Sequence, residues 1–163
     1  MIDDEKQIIR ESLEYNPETG KLFWKISRGS RKSGSEVTKG CEGYLCVKVG
    51  KKTYKAHRVA WLLYYGDWPE GFIDHINLNK TDNRIENLRD CTRQQNNSNV
   101  PLRVDNKSGV KGVSWKASHE KWCAQVSHQG KVIYLGLYED IQEAAEVVRK
   151  KREELHGDFA NHG

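Results

Sequence analysis

The sequence predicts an α+β protein built as two small parts. Residues 72–98 read as strand, loop, strand, helix, and residues 108–157 read as three short β-rich runs closed by one helix. A composition of 36% hydrophobic and 31% charged over 163 residues argues against one large core. In chain order, Asp4 to Leu13 sets Ile8, Ile9 and Leu13 on one side of a short amphipathic helix, and Asn16-Pro17-Glu18-Thr19-Gly20 is a turn. Leu22-Phe23-Trp24 reads as a strand. Arg28 to Gly40 is rich in Gly, Ser, Lys and Arg without periodicity, so it reads as an exposed basic loop. Tyr44 to Val49 and Thr53 to Ala56, joined at Gly50-Lys51-Lys52, form a hairpin; His57 to Tyr65 then takes helical spacing and stops at Asp67-Trp68-Pro69-Glu70-Gly71. The polar stretch from Asn96 to Ser108, which contains Pro101, marks a linker placed at residues 101–107.

No apolar run approaches the roughly 20 residues of a membrane span, and Met1-Ile2-Asp3-Asp4-Glu5 lacks the basic-then-apolar order of a signal peptide. The expectation is a soluble cytoplasmic protein with no membrane partner. Cys41, Cys46, Cys91 and Cys123 form no CxxC pair, which argues against a thiolate zinc site and a disulfide framework, and all four are read as reduced. The formal charge of +4 conceals segregation: residues 21–60 carry 11 basic against 2 acidic side chains and residues 101–136 carry 6 against 2, while the other stretches are acidic. Local Lys/Arg density suits a polyanion bound through phosphates. Ordinary solvated faces would give the same count.

The stretch from Phe72 to Arg89 carries the most chemistry. A short apolar entry delivers the adjacent pair Asp74-His75 into an Asn-rich loop, Ile85 and Leu88 follow as a second strand, and Thr92 with Gln95 forms a capping box ahead of Asn96 and Asn97. Phosphodiester hydrolysis needs a base for water and a Lewis acid for the leaving oxygen. Histidine suits the first near neutral pH, and one carboxylate plus one amide leaves a hard cation mostly hydrated. The same residues could form a capping and turn network with no catalysis.

Ala56-His57-Arg58-Val59-Ala60-Trp61, Asp74-His75, Asn79, Asn83-Arg84, Asn87-Leu88-Arg89, Thr92 and Asn96 together resemble the HNH nucleases of phages, in particular the subfamily that includes intron-encoded homing endonucleases. The resemblance implies a ββα-metal core holding one Mg²⁺ or Mn²⁺ ion, with Asp74 and Asn96 as its protein ligands, His75 as general base, and Asn87 as the central Asn that pins the loop. It also implies 5′-phosphate and 3′-hydroxyl ends. Leu78 stands where the family usually has Gly, so the loop turn is expected to be built differently. His57 could approach the phosphate or be structural. Arg84, Arg89 and Arg93 could clamp phosphate, or could hold Asp82, Glu86 or Asp90.

In the last third, Gly109 to Trp115, Lys121 to Val126 and Lys131 to Tyr138 are three β runs in a meander, and Asp140 with Glu143 caps a helix whose Ile141, Ala144, Ala145, Val148 and Leu155 share one face up to Gly157. Gly-Val-x-Gly-Val, Lys-Trp, Leu-Gly-x-Tyr, Glu-Ala-Ala and His-Gly over residues 106–160 resemble the ethylene-response-factor (APETALA-type) DNA-binding domain. That resemblance implies a sheet in the major groove backed by the helix. Alternation turns Trp122, Ala124 and Val126 to the helix and Cys123, Gln125 and Ser127 outward, with Lys111, Lys116, Lys131 and Tyr134 as further DNA-facing candidates. Plant members carry Arg where this chain has Ser114, Ser127 and Val132, so the contact is expected to be phosphate-dominated. Trp115 and Trp122 could pack in the core or stack on bases.

The expected organisation is a basic strand and loop region over residues 1–55, an HNH core over 56–100, a linker over 101–107 and a three-stranded antiparallel sheet packed on one helix over 108–163. The expected function is a metal-dependent endonuclease on double-stranded DNA, located in the cytoplasm of the host cell if phage-encoded. As a monomer it would nick, and a double-strand break would call for a dimer. The competing readings are a non-catalytic DNA-binding regulator that keeps the HNH core as a scaffold, and an RNA-binding module.

Overall fold

A computed structural model gives the architecture. It describes residues 2–163, with side chains from Asp4 onward; Met1, part of the acidic opening read above for a leader, lies outside the described residues. The α+β expectation holds: short helices and small antiparallel sheets occur along the whole chain. The chain divides into two compact units, residues up to Thr92 and residues Arg93–Gly163. No described helix is long and apolar enough to cross a membrane.

The first unit contains α1 (Ile2–Ser12), β1 (Leu13–Asn16), β2 (Lys21–Trp24), β3 (Gly40–Cys41), β4 (Tyr44–Val49), β5 (Lys52–Lys55), α2 (Ala56–Tyr65), β6 (Phe72–His75) and β7 (Leu88–Cys91). Leu13 does not end the first helix as its spacing suggests; it opens β1, which pairs antiparallel with β2 in the register Leu13↔Trp24. The turn between them is held by Asn16, whose Oδ1 accepts the backbone N–H of Glu18 and Thr19 at 3.0 Å each. Ile9, Leu13, Leu22 and Trp24 are buried together with Val47, Val59 and Leu62, which ties α1 and the hairpin to β4 and α2. A second cluster, Ala60, Ile73 and Leu88, seats β6 and β7.

Two expectations about this unit are corrected. The basic loop is not exposed throughout: the Val37 N–H donates to the Leu22 carbonyl at 2.8 Å, Gly34 N–H to Trp24 at 2.7 Å, and Val37 is buried. A segment without periodicity is thereby fixed beside β2 by backbone bonds that any residue can make. Cys41 and Cys46 are joined in a disulfide, with Cys91 and Cys123 free. The antiparallel pairing Cys41↔Tyr44 and Gly40↔Leu45 folds the chain back on itself and brings the two Cα atoms to 6.0 Å, inside the span a disulfide bridges.

The second unit contains α3 (Arg93–Ser98), β8 (Val113–Lys116), β9 (Lys121–His128), β10 (Lys131–Tyr138) and α4 (Ile141–His156). The strands form an antiparallel sheet in the order β10-β9-β8. Val113, Ala124 and Val126 from the sheet pack on Ala144 and Val148 of α4, and the small Ala144 is fully buried at the contact. The Asp140 carboxylate starts α4 by accepting the Gln142 N–H at 2.6 Å. Gln125 and Ser127 are exposed between the inward residues, as alternation requires. Trp122 packs against the core, whereas Trp115 is 51% exposed and meets Trp122 edge-on at 5.0 Å between centroids.

Candidate active site

Strand β6 is short because its last two residues are polar and the chain must leave the sheet through an Asn-rich loop. Its register with β7, Asp74↔Arg89 and His75↔Leu88, sets each partner directly opposite. Asp74 is 4% exposed, and its Oδ2 accepts from Arg89 Nε at 2.8 Å and pairs with Nη2 at 2.7 Å. Arg89 thus holds a carboxylate, and the one it holds is Asp74, outside the set Asp82, Glu86 and Asp90 considered from sequence. A buried acid with an opposite charge across the strand pair keeps its orientation without a flexible linker.

His75 is 5% exposed and ends β6. Its Nε2 lies 3.1 Å from Asn83 Oδ1. With the carboxamide oxygen as acceptor, the matching tautomer carries its proton on Nε2 and leaves Nδ1 as the basic nitrogen. Burial, the largest influence, pushes the His75 pKa down, with the Asn83 hydrogen bond and the charge of Asp74 pulling against it. The ring packs edge-on against His57 at 5.1 Å and lies 6.0 Å from Tyr44. His57 lies in the first turn of α2, is itself buried, and is pushed down to about 3, first by burial and then by His75. Its Nδ1 has no partner among the described residues. A neutral imidazole in that place packs against the His75 ring without adding charge.

The loop after β6 is a closed hydrogen-bond network. Asn87 reaches across it: Oδ1 accepts from Asn77 N–H at 2.9 Å and Nδ2 donates to the Asp82 carbonyl at 2.8 Å. Asn77 Nδ2 donates to Asp82 Oδ2 at 2.7 Å, and Asn79 Oδ1 accepts from Thr81 N–H at 3.1 Å. Leu78 takes a left-handed backbone at φ 63, the conformation for which Gly is the usual choice. The turn keeps that backbone with a side chain present. Arg84 holds Asp82 with two parallel bonds at 2.9 Å and Glu86 at 2.6 Å, so its fork is occupied by neighbouring acids. Asn83, 1% exposed, was legible as part of the Asn-rich loop but not as the partner of His75.

The remaining candidates lie in the second unit. Asn96 is half-buried on α3, and Arg93 is exposed on the same helix. Gln125, Ser127 and Tyr134 share the sheet face turned away from α4, with Tyr134 opposite Gln125. Lys116 pairs with Lys121 at the end of β8, and Lys131 pairs with His128 at the start of β10. Lys111 precedes the sheet, and its Nζ donates to the Val100 and Asn161 carbonyls. The donor chemistry of Asp74 and Asn96, carboxylate and amide oxygens, suits a hard divalent cation. Among the described residues, no three His, Cys, Asp or Glu side chains gather as a metal cluster.

Residues 54–98, which contain α2, β6, β7 and α3, match the HNH endonuclease family. The chain is 35% identical over 117 residues to protein 3.8 of Escherichia phage T7, covering 69% of this chain and 96% of that protein. The chain carries an HNH endonuclease domain. It is also 31% identical over 117 residues to a Bacillus subtilis protein of SPbeta prophage origin whose name calls it an HNH homing endonuclease, covering 66% of this chain and 65% of the relative. An uncharacterized HNH endonuclease of Acanthamoeba polyphaga mimivirus is 35% identical over 124 residues, covering 74% of this chain and 63% of the relative. The chain therefore spans a little under two thirds of the length of these last two relatives. No solved structure matches. The HNH segment includes every residue of the His75 network except Tyr44 and the β1–β2 hairpin, which lie before it.

Proposed function

We propose that the protein is a metal-dependent HNH endonuclease of the homing type that nicks double-stranded DNA and leaves 5′-phosphate and 3′-hydroxyl ends. The observation that carries this reading is the end of β6: a neutral imidazole oriented by Asn83, next to a carboxylate oriented by Arg89. In the reaction, His75 Nδ1 takes the proton of the attacking water while Asn83 retains the proton on Nε2. The depressed basicity of the ring keeps it unprotonated, and so able to act as a base, below its usual pH. Asn87 holds the loop so that the ring keeps its aim. Asp74 and Asn96 would hold Mg²⁺ or Mn²⁺, which supplies positive charge for the phosphate oxygens and the departing 3′ oxygen.

The three-stranded sheet and α4, with their likeness to ethylene-response-factor domains, form the DNA-gripping part in this reading, with Gln125, Ser127, Tyr134 and Lys116 toward the duplex. A regulator that keeps the HNH core as a scaffold has one observation on its side, the engagement of Asp74 by Arg89. Supercoiled plasmid incubated with and without Mg²⁺ separates the two. Conversion to nicked circles by the wild type only with metal, falling by 10² to 10⁴-fold in His75→Ala, supports the nuclease. DNA binding without cleavage in either protein supports the regulator.

A further inference from the structure

The second unit holds an open cavity of about 910 Å³. One wall is α3, with Arg93 on it; another is the outer half of β9, beyond the point where β8 has ended; and Arg152 and His156 of α4 complete it. Lys111, Arg103 and His128 also line it, and no carboxylate of the described residues does. Arg103 is matched by Asp105 at 2.8 Å, but Lys111 and Arg152 are not met by acids in the same way. Arg152, 5% exposed, donates from Nη2 to the Lys111 carbonyl at 2.9 Å, and Lys111 donates to two carbonyls. Arg152 Nη1 also faces His162 Nδ1 at 3.4 Å, and these neutral partners take only some of the N–H groups of the two cations and leave both charges uncompensated. His128 adds a second sign: its Nδ1 is shut away from solvent with no hydrogen-bond partner among the described residues, while its ring lies 5.3 Å from His156.

We propose that this cavity is a phosphate-binding site. Two guanidinium forks and an ammonium around a space without acids are the donor set that phosphate oxygens take. Phe, Tyr and Trp do not line the cavity, whose side chains are mostly cationic or polar, so the phosphate groups are the recognised part. Burial first and then the nearby Arg152 cation push the Lys111 ammonium down to about 8. The phosphate has two sources, a free phosphate-bearing small molecule or the backbone of duplex DNA; only the second rests on the nuclease reading.

The test uses the full chain without added metal. Binding of inorganic phosphate and of ATP is read by calorimetry, and binding of a labelled 30-base-pair duplex by anisotropy across a salt series, for wild type, Arg93→Gln and Lys111→Gln. The expected result is phosphate binding that weakens at least fivefold in both variants. If DNA affinity also falls and the salt slope drops by about one per lost contact, the source is the DNA backbone. If phosphate or ATP binding responds while DNA affinity and slope do not, the site serves a free ligand. Absence of phosphate and ATP binding, with DNA affinity and slope identical in all three folded proteins, overturns the proposal. Metal-dependent cleavage is scored separately, so loss of the nuclease reading leaves this result standing.

Discussion

Asn83 contributes to the site through one oxygen. Its hydrogen bond to His75 Nε2 fixes a tautomer and opposes the effect of burial on that ring. In Asn83→Ala the opposition disappears, so the acid limb of the pH–rate profile should move to lower pH, while the maximal rate falls by roughly 10-fold as the ring loses its orientation. A profile that keeps its acid limb in the variant would show that Asn83 has no hold on His75. Leu78 offers a separate test. A left-handed backbone at a branched residue costs about 1–2 kcal/mol, so Leu78→Gly should raise unfolding stability by about 0.5–1 kcal/mol, measured by urea titration.

The β1–β2 hairpin is the element that sequence reasoning undervalued, because it lies far along the chain from the loop it supports. Tyr15 Oη donates to the Asn83 carbonyl at 2.7 Å, and the Ile85 N–H donates to the Pro17 carbonyl at 3.1 Å. Gly20, at φ +71, lies so close to the Asn83–Arg84 peptide that an added Cβ would sit 2.6 Å from the Asn83 carbonyl carbon. Gly20→Ala should therefore cost about 3 kcal/mol or more and reduce cleavage, since the loop that carries Asn83 must move; unchanged stability and rate would remove the hairpin from the site. The elements with a clean period were legible: α2, β6, β7, the β8–β10 sheet and α4 all follow from spacing and turn residues. Leu13 misled because its apolar position suits both the end of a helix and the start of a strand. Glu36 and Val37 were hidden because their pairing with β2 rests on backbone bonds and one Lys21–Glu36 ion pair in a segment without apolar period, and the Cys41–Cys46 link because nothing but the fold of the β3–β4 hairpin brings those two together. Asp74, His75 and Asn87 stood out as chemistry; the partners that orient them, Arg89 and Asn83, depended on strand register and loop closure.

At the scale of the whole molecule, the apolar core is divided between the two units. The apolar clusters of the two units are each small, so little surplus stability protects either from the loss of a buried polar partner. Removing Arg89 alone leaves a carboxylate enclosed by protein, and Arg89→Ala should lower unfolding stability by about 3–5 kcal/mol. Pairing it with Asp74→Ala should recover a large part of that loss, a coupling of at least about 1 kcal/mol in a double-mutant cycle followed by chemical denaturation. Additive losses would mean that the two side chains ignore each other. The cross-strand contact between them has an evolutionary corollary: an acid at one position and a guanidinium at the other form a single heritable unit, so a lineage that abandons the first gains by discarding the second, and a descendant with only one of them should be rare.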